Sequence, residues 1–476
     1  MTRLPLEIIQ LIFKHFCRHC CGEYEQPFRV KPPTQNATTL HNLCLVSRHF
    51  RDVAQVILHH SFDFDFEPPK CLPYTDSWKR RLEPFLRTIA SRPDLARSVN
   101  AVFLPWELIV SLDFDQSKKS FDTCARSMGI SALEIYQLPQ RHGAPSSDAI
   151  EEAFFQGHPI PDDAGKQDHI SLVASELVTI AMAMLPNLAH LVIVAKDLLY
   201  EKWDIDISTS TLDALNVDYL PLKTLESDEA MPKLLSRTVD LQMLVTGGRG
   251  LFPRMANLKR LHIRSINGVR LSGRDASPVE ACIGCLTSFS FTAAYRRIAN
   301  LIEALDQPRF HTTLESIRLD LRCRPTEHEI DPILTFRSFT KLNTLFIPAC
   351  PIYGSNYTHI DPQSLVTILP PNIQSLTLVE HETPTPPGLL HKDLLRLVEK
   401  KSTLFPHLIE IISDSVQVCD GSLKTMMENV GIALIHREIP WSRWDFTRQY
   451  RYDDYTLWDP QPVYYPLPSE LSDDDL

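Results

Sequence analysis

Leu258-Lys-Arg-Leu261-His-Ile263 opens a series. The same spacing returns as Leu286-Thr-Ser-Phe289-Ser-Phe291, Leu314-Glu-Ser-Ile317-Arg-Leu319, Leu342-Asn-Thr-Leu345-Phe-Ile347 and Ile373-Gln-Ser-Leu376-Thr-Leu378. The anchors 258, 286, 314 and 342 stand 28 residues apart by subtraction, and the next interval, to 373, is 31. Each copy alternates apolar and polar residues, the pattern of a strand with one buried face. Between copies lie helix-like apolar segments at Ile298–Leu305, Ile330–Phe336, Leu365–Leu369 and Leu389–Val398. Weaker copies extend the series outward, at Val99–Leu104, Leu188–Ile193, Leu241–Val245 and Leu408–Ile411. The step from 241 to 258 is short, so one unit there is expected to lack its helix.

A 20–29-residue period with Leu-x-x-Leu-x-Leu spacing resembles leucine-rich repeats. The resemblance implies an α/β fold: an irregular solenoid over 98–440, with a parallel strand face and outer helices. A run of unrelated βα units in an open parallel sheet is the alternative. The Asn or Cys that regular copies carry after the strand is mostly missing, and Asn267 and Cys350 are only approximate matches. The stretch 105–184 has no clear repeat and is expected to contain an insertion. Within it, Gln140–Asp168 is polar and rich in Pro, Gly and His, so part of it is expected to be a loop. Arg260, His262, Arg264, Arg318 and Asp320 occupy outward strand positions and vary in charge without an evident theme.

The N-terminus carries a second signal. Leu4-Pro5-Leu6-Glu7-Ile8-Ile9 stands upstream of Leu43-Cys44-Leu45-Val46-Ser47-Arg48-His49-Phe50. Ile8, Ile9, Ile12, Phe13 and Phe16 fall at helical spacing. Pro5 suits a first turn, where its missing N–H is harmless, and Glu7 lies near the positive end of the helix dipole. Leu43, Val46, Phe50, Val53 or Ala54, and Ile57 repeat the helical pattern. So small a helical unit cannot cover its own apolar surface well. It either begins a larger domain or docks a partner.

The two segments, in this order, resemble the F-box, with a longer connection at 17–39 than the compact family pattern has. The resemblance implies a helical domain over 1–62, followed by a linker or helical connection over 63–97. It implies docking on a Skp-type adaptor, and through it a cullin. The adaptor-binding residues it implies are Leu4, Pro5, Glu7, Ile8, Ile12, Leu43, Leu45, Val46, Ser47 and Phe50.

Composition narrows the partners. A formal charge of −11 with a pI near 5.9 argues against a nucleic-acid or anionic-membrane surface. No 18-residue apolar run and no leader pattern is read, so a cytoplasmic or nuclear location is expected. The 11 cysteines are odd in number and scattered, as reduced thiols are. Glycine is scarce beside proline (15 against 36), which suits short elements with stiff joints.

Catalytic motifs fail one by one. Gly247-Gly-Arg-Gly250 lacks the Lys-Ser/Thr of a phosphate loop, and no nucleophile has a local base. Two Cys-x-x-Cys pairs exist, Cys17/Cys20 and Cys282/Cys285. They fall in different regions, so they are not expected to share an ion. His15, His19 and Cys21 flank the first pair, but a tetrahedral site needs a fourth ligand that no neighbour assures. Neither metal nor cofactor is therefore expected. Cys282 and Cys285 are read as buried structural thiols.

Trp441–Pro468 is aromatic-dense and reads either as a cap over the open end of the array or as a binding surface. Ser469–Leu476 is an acidic tail. The combined resemblance implies the substrate-recognition subunit of a Skp–cullin–F-box ubiquitin ligase. It would catalyse nothing and would hold an unknown target protein near a conjugating enzyme. The alternatives are a non-catalytic repeat scaffold acting outside a ligase and an enzyme with a site in 105–184.

Overall fold

The structure is a computed structural model. It describes residues 4–17, 19–21, 36–62, 81–104, 108–109, 112–136, 154–155, 166–193, 205–227, 230–247, 252–265, 277–293, 299–320, 335–353, 364–380 and 388–437. Everything below concerns these residues. The segment expected as an aromatic cap or binding surface and the acidic tail lie outside them, as do Asn267 and most of 140–165.

The chain is mixed α/β around a twelve-stranded parallel sheet whose strands lie side by side in chain order. They are β1 Ser61–Phe62, β2 Ala101–Leu104, β3 His190–Ile193, β4 Thr224–Ser227, β5 Met243–Thr246, β6 Arg260–Ser265, β7 Ser288–Ala293, β8 Ser316–Asp320, β9 Thr344–Pro348, β10 Ser375–Val379, β11 Glu410–Ser413 and β12 Ala433–His436. Parallel neighbours need a crossover, and helices supply most of these. One apolar residue from each strand stands in register: Phe62, Val102, Leu191, Leu225, Leu244, Leu261, Phe289, Ile317, Leu345, Leu376, Ile411 and Leu434. All but Phe62 are buried. A one-residue slip of any strand would turn its member to the opposite face, so the ladder fixes the register.

The quoted Leu-x-x-Leu-x-Leu copies become β6 to β10, and the weaker copies become β2, β3, β5 and β11. Among the described residues no helix stands between β5 and β6, as the short interval predicts. The expected helices appear at Ala299–Leu305, Ser364–Ile368 and Leu389–Leu404. Of Ile330–Phe336, only residues 335 and 336 are described, and they are not helical.

The core of the sheet extends beyond the repeat copies. The helices Leu82–Ser91 and Pro93–Ala96, within the stretch expected as a linker or helical connection, bury Leu82, Leu86, Ile89 and Ala96 in the same core as the sheet. The stretch expected to contain an insertion forms the β2-to-β3 crossover. Its helices Phe114–Ser127, Ala132–Tyr136 and Lys166–Met184 pack into that core too. Phe154 and Phe155, inside the stretch expected to be loop in part, are buried with ring centroids 5.4 Å from Phe121. One expectation needs correction: His262 and Asp320, placed on an open face, are both 2% exposed. Arg260 is exposed. Arg318 is half-buried, its guanidinium 4.0 Å from the centre of the Phe346 ring.

A second, smaller core belongs to the N-terminal helices α1 (Leu6–Lys14), α2 (Asn36–Val46) and α3 (Arg48–Leu58). It comprises Ile9, Phe13, Cys17, Leu40, Val53, Ala54 and Ile57. The long apolar pattern over 40–58 is broken at Ser47. Its extended backbone and side chain cap α3, accepting the Phe50 N–H at 3.1 Å. Only two residues separate the end of α3 from the start of the sheet at Ser61, inside the range expected for the helical domain.

Candidate docking site

α1 is apolar on two sides. Pro5 precedes its first turn, Glu7 sits in that turn and Lys14 in the last, all favourable placements. Ile9 and Phe13, four residues apart, point into the small core. Phe13 meets Phe50 edge-on with ring centroids 5.5 Å apart. The remaining apolar side chains have no such cover. Leu4 is 58% exposed, Ile8 41%, Ile12 45%, Leu45 70% and Val46 65%, and Leu6 and Leu11 are exposed as well.

The ten residues expected to bind an adaptor thus divide by role. Leu4, Pro5, Glu7, Ile8, Ile12, Leu45, Val46 and Ser47 are exposed. Leu43 and Phe50 are half-buried and pack on the small core, so their first duty is to hold the helices together. Ser47 is the cap of α3. Leu6 and Leu11 share the exposed apolar surface and were missed by sequence reasoning. Helical spacing from Ile8 would have included Leu11 (i+3).

At the base of the same unit, four metal-ligating side chains converge. Ligand atoms of Cys17, His19, Cys20 and His60 all lie within 4.8 Å of one another. The Nδ1 atom of His60 stands 3.2 Å from Cys20 Sγ and 3.6 Å from Cys17 Sγ, and His19 Nδ1 is 3.9 Å from Cys20 Sγ. The expectation of no metal rested on a missing fourth ligand. The fold supplies one, because His60 follows α3 and α3 packs on α1. Burial pushes the Cys17 thiol up to about 12, against a lowering pull from the Cys20 backbone N–H. Burial also raises Cys20, against a lowering pull from Lys14. His60 is lowered to about 4 by burial, then by His19 and Lys14.

The other Cys-x-x-Cys pair does not behave as a pair. Cys282 is buried, its thiol raised to about 12 by burial, whereas Cys285 is exposed, against expectation.

No protein-family model matches the chain, and no curated protein matches it in sequence. Among the described residues, no helix is long and apolar enough to cross a membrane.

Proposed function

We propose that the chain is an F-box protein with leucine-rich repeats. In this reading it is the non-catalytic, substrate-recognition subunit of a Skp–cullin–F-box ubiquitin ligase. The repeat reading is supported by twelve parallel strands in strict chain order and by the 28-residue recurrence that sets β6 to β9. Each unit then buries its apolar face only against its neighbours, as repeat arrays do.

The observation that carries the docking half is the exposure of Leu4, Ile8, Ile12, Leu45 and Val46 on a unit that already has its own core. Burying a large aliphatic side chain yields roughly 1.5–3 kcal/mol, so several left in water on one small unit favour a partner. The adaptor binds there, and the sheet-bearing region holds a target protein. The location this reading implies is cytoplasmic or nuclear.

Capture of purified Skp-type adaptor by the full chain, with and without a cullin, is the test. Retention of the adaptor and, through it, the cullin supports the ligase. Retention of neither leaves a repeat scaffold as the better reading.

A further inference from the structure

We propose that Cys17, His19, Cys20 and His60 bind one structural zinc ion, which fastens the N-terminal helices to the first strand of the sheet. The inference is independent of what docks on α1.

The donor set fits zinc. Two sulfurs and two imidazole nitrogens form a closed Cys₂His₂ shell, the composition of structural rather than catalytic sites. A tetrahedron with Zn–S about 2.3 Å and Zn–N about 2.0 Å places sulfur and nitrogen roughly 3.5 Å apart. Three of the four S–N distances here, 3.2, 3.6 and 3.9 Å, bracket that value, and the whole donor set lies within 4.8 Å. The histidine rings are also splayed, with centroids 5.5 Å apart and planes at 83°, so both Nδ1 atoms approach one point without stacking.

The backbone holds the donors there. After α1 the chain tightens: Cys17 N–H donates to Lys14 O at 3.1 Å and Cys21 N–H to Cys17 O at 3.0 Å. That turn presents Cys17, His19 and Cys20 on one side. His60 arrives from α3, its N–H donating to Ile57 O at 3.1 Å. Cys17 is itself part of the small core, at 4% exposure, so the site is anchored from within. Two thiolates balance the charge of a divalent cation, leaving a neutral centre. Binding releases the two thiol protons to solvent.

The position gives the ion its role. The carbonyl of His60 accepts the N–H groups of Asn100 at 2.8 Å and Ala101 at 3.1 Å, at the start of β2. The ligand His60 is therefore hydrogen-bonded directly to the start of β2. The small core and the large one are otherwise separate clusters. A metal at this junction sets the angle at which the helical unit leaves the array.

The full chain, purified without a polyhistidine tag, should carry about one zinc per chain by elemental analysis. After chelation, cobalt(II) should restore a tetrahedral spectrum with thiolate-to-cobalt charge-transfer absorption. Even second-shell changes weaken metal sites roughly 10–100-fold, so Cys20→Ser and His60→Gln should each lose at least that much affinity. Cys21→Ser, which alters an exposed thiol outside the set, should not. Amide exchange over 4–21 should rise on chelation. Should either ligand variant fail to fold, the cobalt spectrum of the wild-type chain still decides. Wild-type protein without stoichiometric zinc, or stripped protein giving no thiolate–cobalt band, overturns the site. So does undiminished zinc in a folded Cys20→Ser or His60→Gln.

Discussion

Asn100 donates its backbone N–H to the carbonyl oxygen of His60 at 2.8 Å. The Asn100 carbonyl in turn accepts from Ala189 at 2.8 Å, and the same link runs on through Lys223, Gln242, Lys259, Thr287, Glu315, Asn343 and Gln374 to Ile409. This ladder skirts the leading ends of the strands. His60 is its first member, so the turn closing α3 is also the first rung of the sheet. The helical unit is not hung on a loose tether.

Docking should depend on exposed apolar anchors and not on the array. Leu4→Ala with Pro5→Ala should weaken adaptor capture by at least tenfold, about 1.4 kcal/mol. Ile8 and Ile12 expose enough surface that Ile8→Ala with Ile12→Ala should do the same. Arg318→Ala, which loses the stack on Phe346, should leave adaptor capture intact. Pull-downs alongside circular dichroism separate binding from folding. Undiminished capture by both double variants would sink the F-box assignment.

Much of this was legible in the sequence, and the gaps have physical causes. The strands β6 to β10 announced themselves because both apolar positions of each are filled by large residues. β4 did not: after Leu222 and Leu225 its third inward position is Ser227. β1 is two residues long, and β12 buries only Leu434. On α1, spacing could not tell which apolar stripe faces inward, since Ile8, Ile9, Ile12 and Phe13 all look alike. His60 as a metal ligand was hidden by distance along the chain. Forty residues separate it from Cys20 and only the packing of α3 on α1 joins them.

Gly284 should not tolerate a side chain. Its Cβ would overlap the Ala256 carbonyl oxygen, where the backbones of 255 and 282 form an isolated bridge between the approaches to β6 and β7. The obstacle is backbone, which cannot swing aside as a side chain can. Gly284→Ala should cost about 1–3 kcal/mol in denaturant unfolding, as overpacking does. Gly421→Ala is the control, since nothing stands within 4 Å of its Cβ position and its φ is not positive. Equal stability of the two variants would contradict the close approach.

Asp393 ties two elements together from a fully buried position. Its Oδ2 accepts from the Tyr353 hydroxyl and from the Leu365 N–H, each at 2.9 Å. Removing the hydroxyl leaves a buried carboxylate with one bond fewer, so Tyr353→Phe should cost about 1–3 kcal/mol near neutral pH. Burial, then the neighbouring Asp393, holds the Tyr353 hydroxyl well above its ordinary range. The raised group stays protonated in the folded chain after the unfolded chain begins to ionise. Its contribution is therefore complete below about pH 10 and falls above it by up to about 1.4 kcal/mol per pH unit. Unfolding free energies on either side of pH 10 should converge between wild type and Tyr353→Phe as pH rises. A difference independent of pH would refute the buried hydroxyl.

Cutting the array should be worse than shortening it. Ending the chain after Ile347 removes β10 to β12 and leaves β9 as an edge, with its partners for Leu345 and Ile347 gone. Those two side chains are fully buried in the intact chain, and Leu376 and Leu378 cover them in register. The cut also takes away Ile368, whose carbonyl accepts the Phe336 N–H at 2.8 Å, and with it the packing over Phe336 and Phe339. An unpaired parallel edge flanked by bare apolar side chains invites association. The truncated chain should therefore aggregate, or melt broadly at lower temperature, whereas the full chain should show one cooperative transition. Size-exclusion chromatography and thermal unfolding followed by circular dichroism read both. A soluble, monomeric, sharply melting fragment would mean that β1 to β9 fold as an independent domain, and the neighbour-dependent array would have to be abandoned.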